Sequence, residues 1–152
     1  MKYIVTGGAG FIGSNIVKKL IARGDNVIVI DNLNTGKEEN LETVKDKIVF
    51  FKDSIMNIDL LEKQTQGIDG IFHQAALASV QDSFSKPDEY HNINVNGTEN
   101  ILKLAKKNKF KVVYASSSSV YGNPERIPIK ESDSKNPINP YAETKLKKEK
   151  LA

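Results

Sequence analysis

The sequence of 152 residues predicts an α/β protein built on a doubly wound parallel sheet with the strand order 3-2-1-4-5. Three observations support this fold class. Short apolar runs bounded by Gly, Asn or Asp alternate with longer segments of helical period. Several runs, such as Val27–Ile30, are continuously hydrophobic, which is typical of parallel strands covered on both faces. The repeated strand–helix–strand order with short connections implies right-handed crossovers.

The predicted strands are the short apolar runs, and the predicted helices are the amphipathic stretches between them. Strands are expected at Tyr3–Thr6, Asn26–Ile30, Ile48–Lys52, Gly70–His73 and Lys111–Ser116. Helices are expected at Phe11–Arg23, Glu38–Lys45, Met56–Gln64, Asp88–Lys107 and Asn139–Ala152. A long irregular stretch, Val120 to Asn139, follows a strand end, where sheets of this kind bind their ligands.

Composition excludes several classes of protein. Apolar and charged fractions of 39% and 27% are ordinary for one globular domain. The absence of cysteine leaves no disulfide framework, and it fits a reducing cytoplasm. The net charge of +3 comes largely from Lys145, Lys147, Lys148 and Lys150, which we interpret as a solvated helix face rather than a nucleic-acid patch. No apolar stretch has the length of a membrane span, and no metal site is predicted.

The first motif is a glycine-rich turn between the first strand and the first helix. Gly7, Gly10 and Gly13 have the spacing of a dinucleotide-binding turn. Gly7 would allow the tight turn, Gly10 the close approach of a pyrophosphate, and Gly13 the close packing of helix on strand. The anion would lie on the free amides at the helix start. The alternative is a strand-to-helix turn that is tight for structural reasons alone.

A carboxylate stands at the end of the second predicted strand. Asp31 can accept hydrogen bonds from both adenosine ribose hydroxyls and would repel a 2′-phosphate. This position therefore favours NAD over NADP. The alternative is that Asp31 only caps a turn.

The second motif lies near the end of the chain. Tyr141 and Lys145 are four residues apart on a predicted helix and share one face. A phenol is a poor base at neutral pH, and a neighbouring ammonium favours its ionised form. The pair alone is a common pattern, but the serine cluster Ser116–Ser119 precedes it at a strand end. Together with the glycine turn, these residues predict hydride transfer at a hydroxyl-bearing carbon.

With these motifs in register, the chain resembles the extended short-chain dehydrogenase/reductase family, in its NAD-dependent epimerase/dehydratase group. The resemblance covers all 152 residues and implies an NAD-binding Rossmann fold. Besides the glycine turn, the serine cluster and the Tyr-x-x-x-Lys pair, it rests on Asp31–Leu33, Asp53, His73–Ala76, Ser79–Val80, Asn92–Thr98 and Pro140.

The resemblance implies roles in NAD binding. Phe11 and Ile12 would present pyrophosphate-binding amides, Asp53 and Ser54 would border the adenine, and Asn94 would support the nicotinamide side. The implied cofactor-binding residues are Gly7, Gly10, Phe11, Ile12, Gly13, Asp31, Asn32, Leu33, Asn34, Thr35, Gly36, Asp53, Ser54, Gln74, Ala75, Ala76, Leu77, Ala78, Asn94, Tyr141 and Lys145.

The resemblance also implies a reaction. Tyr141 would be the base, Lys145 would bind the nicotinamide ribose, and Ser117 would hydrogen-bond the substrate hydroxyl, so these three are the expected catalytic residues. The implied substrate-binding residues are Ser79, Ser117, Ser118, Ser119 and Tyr141. The implied activity is the interconversion of UDP-glucose and UDP-galactose through a transient 4-keto sugar.

Two alternatives remain open. Relatives that dehydrate nucleotide sugars typically have Asp-Glu where this chain has Ser118 and Ser119, which cannot do that acid–base chemistry. Another nucleotide-sugar oxidoreductase is therefore the alternative enzyme. Family members are longer, and Leu146–Ala152 has no capping glycine, so we expect a chain truncated before the last strands and the substrate domain. Residues 1–152 alone would be a non-catalytic NAD-binding fragment. The family commonly dimerises through its last two long helices, so a homodimer is expected.

Overall fold

A computed structural model describes residues 1–151. The chain divides into two compact units. The sheet unit comprises Met1–Ala76 and Asn100–Ala115, and the helical unit comprises Leu77–Glu99 and the residues from Ser116 onward. Ala152, the last residue of the predicted final helix, lies outside the described residues.

The sheet unit contains a five-stranded parallel sheet in the order 3-2-1-4-5, which confirms the predicted fold class and strand order. Its strands are β1 (Lys2–Thr6), β2 (Asn26–Ile30), β3 (Ile48–Phe51), β4 (Gly70–His73) and β5 (Lys111–Tyr114). Thr6, the last residue of β1, pairs with Ile30 on one side and with His73 on the other. The carboxyl ends of β1, β2 and β4 therefore meet at one edge of the sheet.

Helices flank this sheet. They are α1 (Phe11–Ala22), a 3₁₀-helix (Glu38–Lys47), α2 (Ile58–Gln64) and most of α5 (Gly97–Asn108). Residues of α1 and the 3₁₀-helix pack in one core with Val5, Val27 and Val29 of the sheet. The helical segment predicted at Glu38–Lys45 is present as a 3₁₀-helix that ends at Lys47. Its buried residues, Leu41 and Val44, are three apart, which is one turn of a 3₁₀-helix.

The helical unit contains the remaining helices. Its elements are α3 (Val80–Ser85), α4 (Pro87–His91), a π-helix (Asn92–Asn96), the start of α5, a second 3₁₀-helix (Ser118–Tyr121) and α6 (Pro140–Leu151). The predicted helix at Asp88–Lys107 is thus a continuous run of α4, π-helix and α5. The helix α6 packs against α3, α4, the π-helix and the second 3₁₀-helix.

The lysines of α6 do not all face solvent. Lys145 and Lys148 are 4% and 1% exposed, so the interpretation of a solvated face is wrong for these two residues. They are three apart and share the side of α6 that packs against the rest of its unit. Lys147 and Lys150 are exposed as expected. Within residues 1–151, no helix is long and apolar enough to cross a membrane.

Candidate cofactor site and active site

The glycine turn between β1 and α1 has two glycines that the protein's own packing requires. Gly7 has a φ of +66°, and a Cβ there would lie 2.6 Å from the amide nitrogen of Ala75. A Cβ on Gly13 would lie 2.1 Å from the carbonyl oxygen of Gly7. At Gly10, by contrast, a Cβ would meet only that same oxygen, at 3.3 Å. The surface beside Gly10 is therefore open to the close approach of a ligand.

The first turn of α1 lies next to this open surface. Gly10 is the N-cap residue and has no side chain to accept from the first amides, which have no partner within the helix. Phe11 and Ile12, in that turn, are 83% and 59% exposed. Free amides and the positive end of the helix dipole together suit an anion. The residues present therefore fit the pyrophosphate of a dinucleotide.

Asp31 is buried at the end of β2, and both of its carboxylate oxygens are engaged. One accepts from the amide of Ala9 in the glycine turn at 2.9 Å, and the other accepts from the amide of Leu33 at 2.8 Å. The turn-capping role is thus observed. Each oxygen has a further lone pair for a ribose hydroxyl, so capping and ribose binding are compatible.

The residues after Asp31 stay close to the glycine turn. A Cβ added to Gly36 would lie 3.0 Å from both Ala9 and the Asp31 carboxylate. Asn32, Asn34 and Thr35, between Asp31 and Gly36, are exposed. Six predicted residues, Asp31 to Gly36, therefore form one loop at the carboxyl end of β2.

Asp53 and Ser54 follow β3. The Asp53 amide donates to the Asp31 carbonyl oxygen at 3.2 Å, which brings this turn beside the previous one. The Asp53 carboxylate accepts from the Ser54 amide at 2.7 Å and from the Asn57 side chain at 2.8 Å. The carboxylate of Asp53 thus shapes its own turn, and Asn57 also caps α2.

A fully buried pair beneath the turn was not singled out from the sequence. Thr6 Oγ1 and His73 Nδ1 are 2.7 Å apart. The Gln74 amide donates to the Thr6 carbonyl oxygen, and the Ala75 amide donates to the Thr6 hydroxyl. These contacts fix Gln74 and Ala75 beside Gly7. The sequence feature that could have indicated this pair is the position of Thr6 and His73 at the ends of adjacent strands.

In the helical unit, Asn94 connects the loop after Ala76 to α6. It lies fully buried in the π-helix, a form that recurs at functional sites. Its side chain accepts from the Leu77 amide at 2.8 Å and donates to the Leu77 carbonyl oxygen at 3.0 Å. It also donates to the Thr144 hydroxyl, which donates to the Tyr141 carbonyl oxygen. Asn94 thereby holds Leu77 in register with the helix of Tyr141.

Tyr141 and Lys145 are together on α6. The Lys145 ammonium lies 5.5 Å from the centroid of the Tyr141 ring. Burial lowers the pKa of Lys145. Burial also lowers the pKa of Lys148, to about 7, with a further contribution from the charge of Lys145. The predicted base therefore lies beside the buried amine of Lys145, and a second buried amine, that of Lys148, is on the same helix.

The serine cluster forms the start of the second 3₁₀-helix. The Ser117 hydroxyl oxygen accepts from the amide and the hydroxyl of Ser119, at 3.3 and 2.8 Å. A hydroxyl has two acceptor sites and one proton, so Ser117 can still donate that proton to a ligand. Ser118, between them, is exposed.

Ala78 and Ser79 directly precede the helix α3 and are exposed, and Ser79 is its N-cap residue. The Ser79 hydroxyl accepts from the Asp82 amide at 3.1 Å, which caps α3. The Ser79 carbonyl oxygen accepts from the buried Tyr90 hydroxyl at 2.7 Å. The described residues contain no group of three or more His, Cys, Asp or Glu side chains that could hold a metal ion.

Comparison with known proteins shows the family to which this chain belongs. The model of the NAD dependent epimerase/dehydratase family matches residues 3–152. The chain belongs to this family. The UDP-glucose 4-epimerase of Halalkalibacterium halodurans is 42% identical, over 99% of this chain and 45% of that relative.

Solved structures of the family share the fold closely. A UDP-N-acetylglucosamine 4-epimerase from Methanobrevibacter ruminantium, in complex with UDP-N-acetylmuramic acid, is 41% identical with a TM-score of 0.92, over 97% of this chain and 48% of that one. A dTDP-glucose 4,6-dehydratase from Streptomyces venezuelae with NAD bound is 34% identical with a TM-score of 0.94, over 99% of this chain and 50% of that one. The chain thus spans about half the length of the relatives it matches.

Proposed function

We propose that the protein containing this chain is an NAD-dependent epimerase of nucleotide sugars that interconverts UDP-glucose and UDP-galactose at C4. The observation that carries the proposal is the Tyr141–Lys145 pair on α6, packed in one unit with the cluster Ser116–Ser119, which itself contains no acidic residue. A phenol beside a buried ammonium provides one base for one hydroxyl proton. Epimerisation by reversible oxidation needs no second acid–base group.

The sheet unit would bind the dinucleotide. The open surface at Gly10 and the free amides of Phe11 and Ile12 suit the pyrophosphate, and Asp31 retains lone pairs for the adenosine ribose. When bound, NAD supplies a hydride acceptor that can return the hydride. The NAD bound to the related dehydratase supports this choice of cofactor.

The helical unit would handle the proton of the substrate. Tyr141 would accept the proton of the sugar hydroxyl, and the Lys145 ammonium would stabilise the resulting phenolate. Ser117 would donate its remaining proton to the substrate oxygen and orient it for Tyr141. Ser79, Ser118 and Ser119 would contact the substrate beside it.

Dehydration is the nearest competing reaction, and the high TM-score of the dehydratase shows that the backbone fold does not separate the two. The residues do separate them. Elimination of water needs an acid and a base at the sugar, and Ser118 and Ser119 provide neither. This difference favours epimerisation over dehydration.

The finer assignments belong to the same proposal. We infer a cytoplasmic enzyme whose substrate is a UDP-hexose, and a homodimer formed through α4–α5 and α6. The names of the related epimerases support the nucleotide-sugar substrate. The absence of cysteine supports a reducing compartment. Analytical ultracentrifugation of the whole protein tests the dimer.

The experiment is to incubate the full-length protein with UDP-galactose and identify the product by chromatography and mass spectrometry. The expected product is UDP-glucose, with no net change in the mass of the sugar. Loss of water from the sugar, or stoichiometric accumulation of NADH, would contradict the proposal. Residues 1–152 alone are the control, and we expect them to bind NAD without turnover.

A further inference from the structure

A three-residue cluster joins two separate segments to α6. The Ser116 hydroxyl donates to one carboxylate oxygen of Glu149, and the Lys135 ammonium lies 2.5 Å from the other oxygen. The Glu149 side chain is 21% exposed and the Lys135 side chain is 34% exposed. We call these three residues the Glu149 cluster. All of them belong to the helical unit.

The three residues of the Glu149 cluster belong to three different segments of the helical unit. Ser116 directly precedes Ser117, the residue expected to orient the substrate hydroxyl. Glu149 lies on α6, four residues after Lys145, and therefore one turn along the helix that bears the base. Lys135 belongs to the irregular stretch between Gly122 and Pro140. One carboxylate thus connects the serine segment, the irregular stretch and α6.

The carboxylate of Glu149 is held in its ionised form. Burial raises the pKa of Glu149, but the hydrogen bonds from Lys135 and Ser116 and the charge of Lys135 outweigh that effect, so the pKa is below its ordinary value. An ionised acceptor makes stronger hydrogen bonds than a neutral one. The cluster is therefore intact at neutral pH.

We propose that Glu149 is a positioning residue, which through Ser116 and Lys135 holds the Ser117 hydroxyl at a fixed distance from the Tyr141 phenol. This rests on the proposed function, because both groups must address the same substrate hydroxyl. Catalysis by positioned groups is sensitive to displacements near 1 Å. The Ser116 hydroxyl donates to Glu149 and Glu149 pairs with Lys135, so we expect these residues to act on the site through their neighbours in the chain.

A second ion pair in the same unit provides a matched control. Arg126 and Asp133 form an ion pair within the irregular stretch, and Asp133 also accepts from the Lys130 amide at 2.8 Å. Both residues of this ion pair lie within the irregular stretch, and neither belongs to α6. Because the pair contains neither Ser116 nor Glu149, its loss should affect the stability of the stretch and leave the Ser116–Glu149 hydrogen bond in place.

The test compares variants of the full-length protein in the UDP-galactose assay. We expect Ser116→Ala to lower kcat by about tenfold, with KM and NAD affinity within about twofold, because groups are displaced rather than removed. Ser116→Thr retains the hydroxyl and should restore most of kcat. Asp133→Asn should keep kcat even where its melting temperature falls as far as that of Ser116→Ala.

A wild-type kcat in Ser116→Ala would overturn the proposal, and so would an equal fall of kcat in Asp133→Asn. If the wild-type protein has no epimerase turnover, the proposed function is wrong, and this result does not decide the role of Glu149.

Amide hydrogen exchange then tests whether the Glu149 cluster holds the serine segment in place. The amides of Ser117–Tyr121 should exchange faster in Ser116→Ala and Glu149→Gln than in Asp133→Asn. Equal exchange in all three variants would overturn the proposal without reference to activity.

Discussion

The glycine turn between β1 and α1 is shaped by missing side chains, whereas the site on α6 is shaped by buried charged ones. In the turn, Gly7 and Gly13 leave no space for a Cβ, and the first amides of α1 have no side-chain cap. On α6, Lys145 and Lys148 are buried, and the Lys145 ammonium lies 5.5 Å from the centroid of the Tyr141 ring. The two regions therefore differ in what a substitution disturbs. Changes in the turn act through backbone position, and changes on α6 act through charge and proton transfer.

The two regions would therefore have different roles, the glycine turn in binding the dinucleotide and α6 in proton transfer. The features of the turn would hold an anion whatever the reaction, because they provide only amides and a dipole. On α6, Tyr141 and Lys145 supply the ionisable groups. A variant of one region should thus leave the other function nearly intact.

The largest expected effect is on turnover. In the full-length protein, Tyr141→Phe should lower kcat by about 10²–10⁴-fold, because it removes the group that accepts the proton. The affinity for NAD should stay within a few-fold, since the ring and its contact with Lys145 are retained. Steady-state kinetics and NAD titration measure the two quantities. A variant with full activity would show that Tyr141 is not the base.

The next effect distinguishes two glycines of the same turn. Gly13→Ala should destabilise the fold by about 3 kcal/mol or more, because the new Cβ would meet a backbone oxygen that cannot move away. Gly10→Ala should change the melting temperature little and weaken NAD binding, because its Cβ would occupy the open surface. Thermal melts and NAD titrations of both variants provide the comparison. Equal loss of stability in both would contradict the assignment of Gly10 to ligand approach.

A third effect concerns pH and the buried amine of Lys148. The folded-state pKa is about 7, below the ordinary value of 10.5, so between these values the unfolded chain binds the proton that the folded chain has lost. Stability should therefore rise with pH across this window, by about 1 kcal/mol per pH unit from this group. Lys148→Met should be more stable than the parent at pH 7, and the difference should shrink towards pH 10. Denaturant unfolding at several pH values measures this difference in stability, and a difference that does not change with pH would contradict the lowered pKa of Lys148.

The smallest effect is on the choice of cofactor. Asp31→Asn removes the negative charge at the end of β2 but keeps an oxygen for the Ala9 or Leu33 amide. The preference for NAD over NADP should fall by about tenfold, equivalent to about 1.4 kcal/mol. Asp53→Asn, at the end of β3, should leave the ratio of the two dissociation constants near that of the parent. An unchanged ratio in Asp31→Asn would count against the ribose assignment.

The sequence predicted the turn better than it predicted the surroundings of α6. The five strands appeared within two residues of their predicted ends, because each is a compact apolar run with a clear boundary. The glycine spacing was enough to predict the turn, because a residue with a Cβ would clash with the backbone at Gly7 and Gly13. The helix α3 was missed because it is only six residues long, although Ser79 and Asp82 have the spacing of a capping pair.

Burial on α6 had no local signal. Four lysines in a span of six residues read as a solvated face, and only the packing of α6 within the helical unit shows which two of them are buried. The π-helix around Asn94 is also set by tertiary contacts, because its side chain is bonded to Leu77 and Thr144, residues distant in the chain. Residue spacing along one helix cannot specify partners of this kind.

In the proposed reaction, the protein removes and returns one hydride at C4 of the sugar. The most direct measurement uses UDP-galactose labelled with deuterium at C4 and follows the label in the product of the full-length protein by mass spectrometry. We expect UDP-glucose that keeps the deuterium, because the hydride never enters water. Loss of the label to solvent would contradict it, since it would mean that C4 is inverted through a proton rather than a hydride.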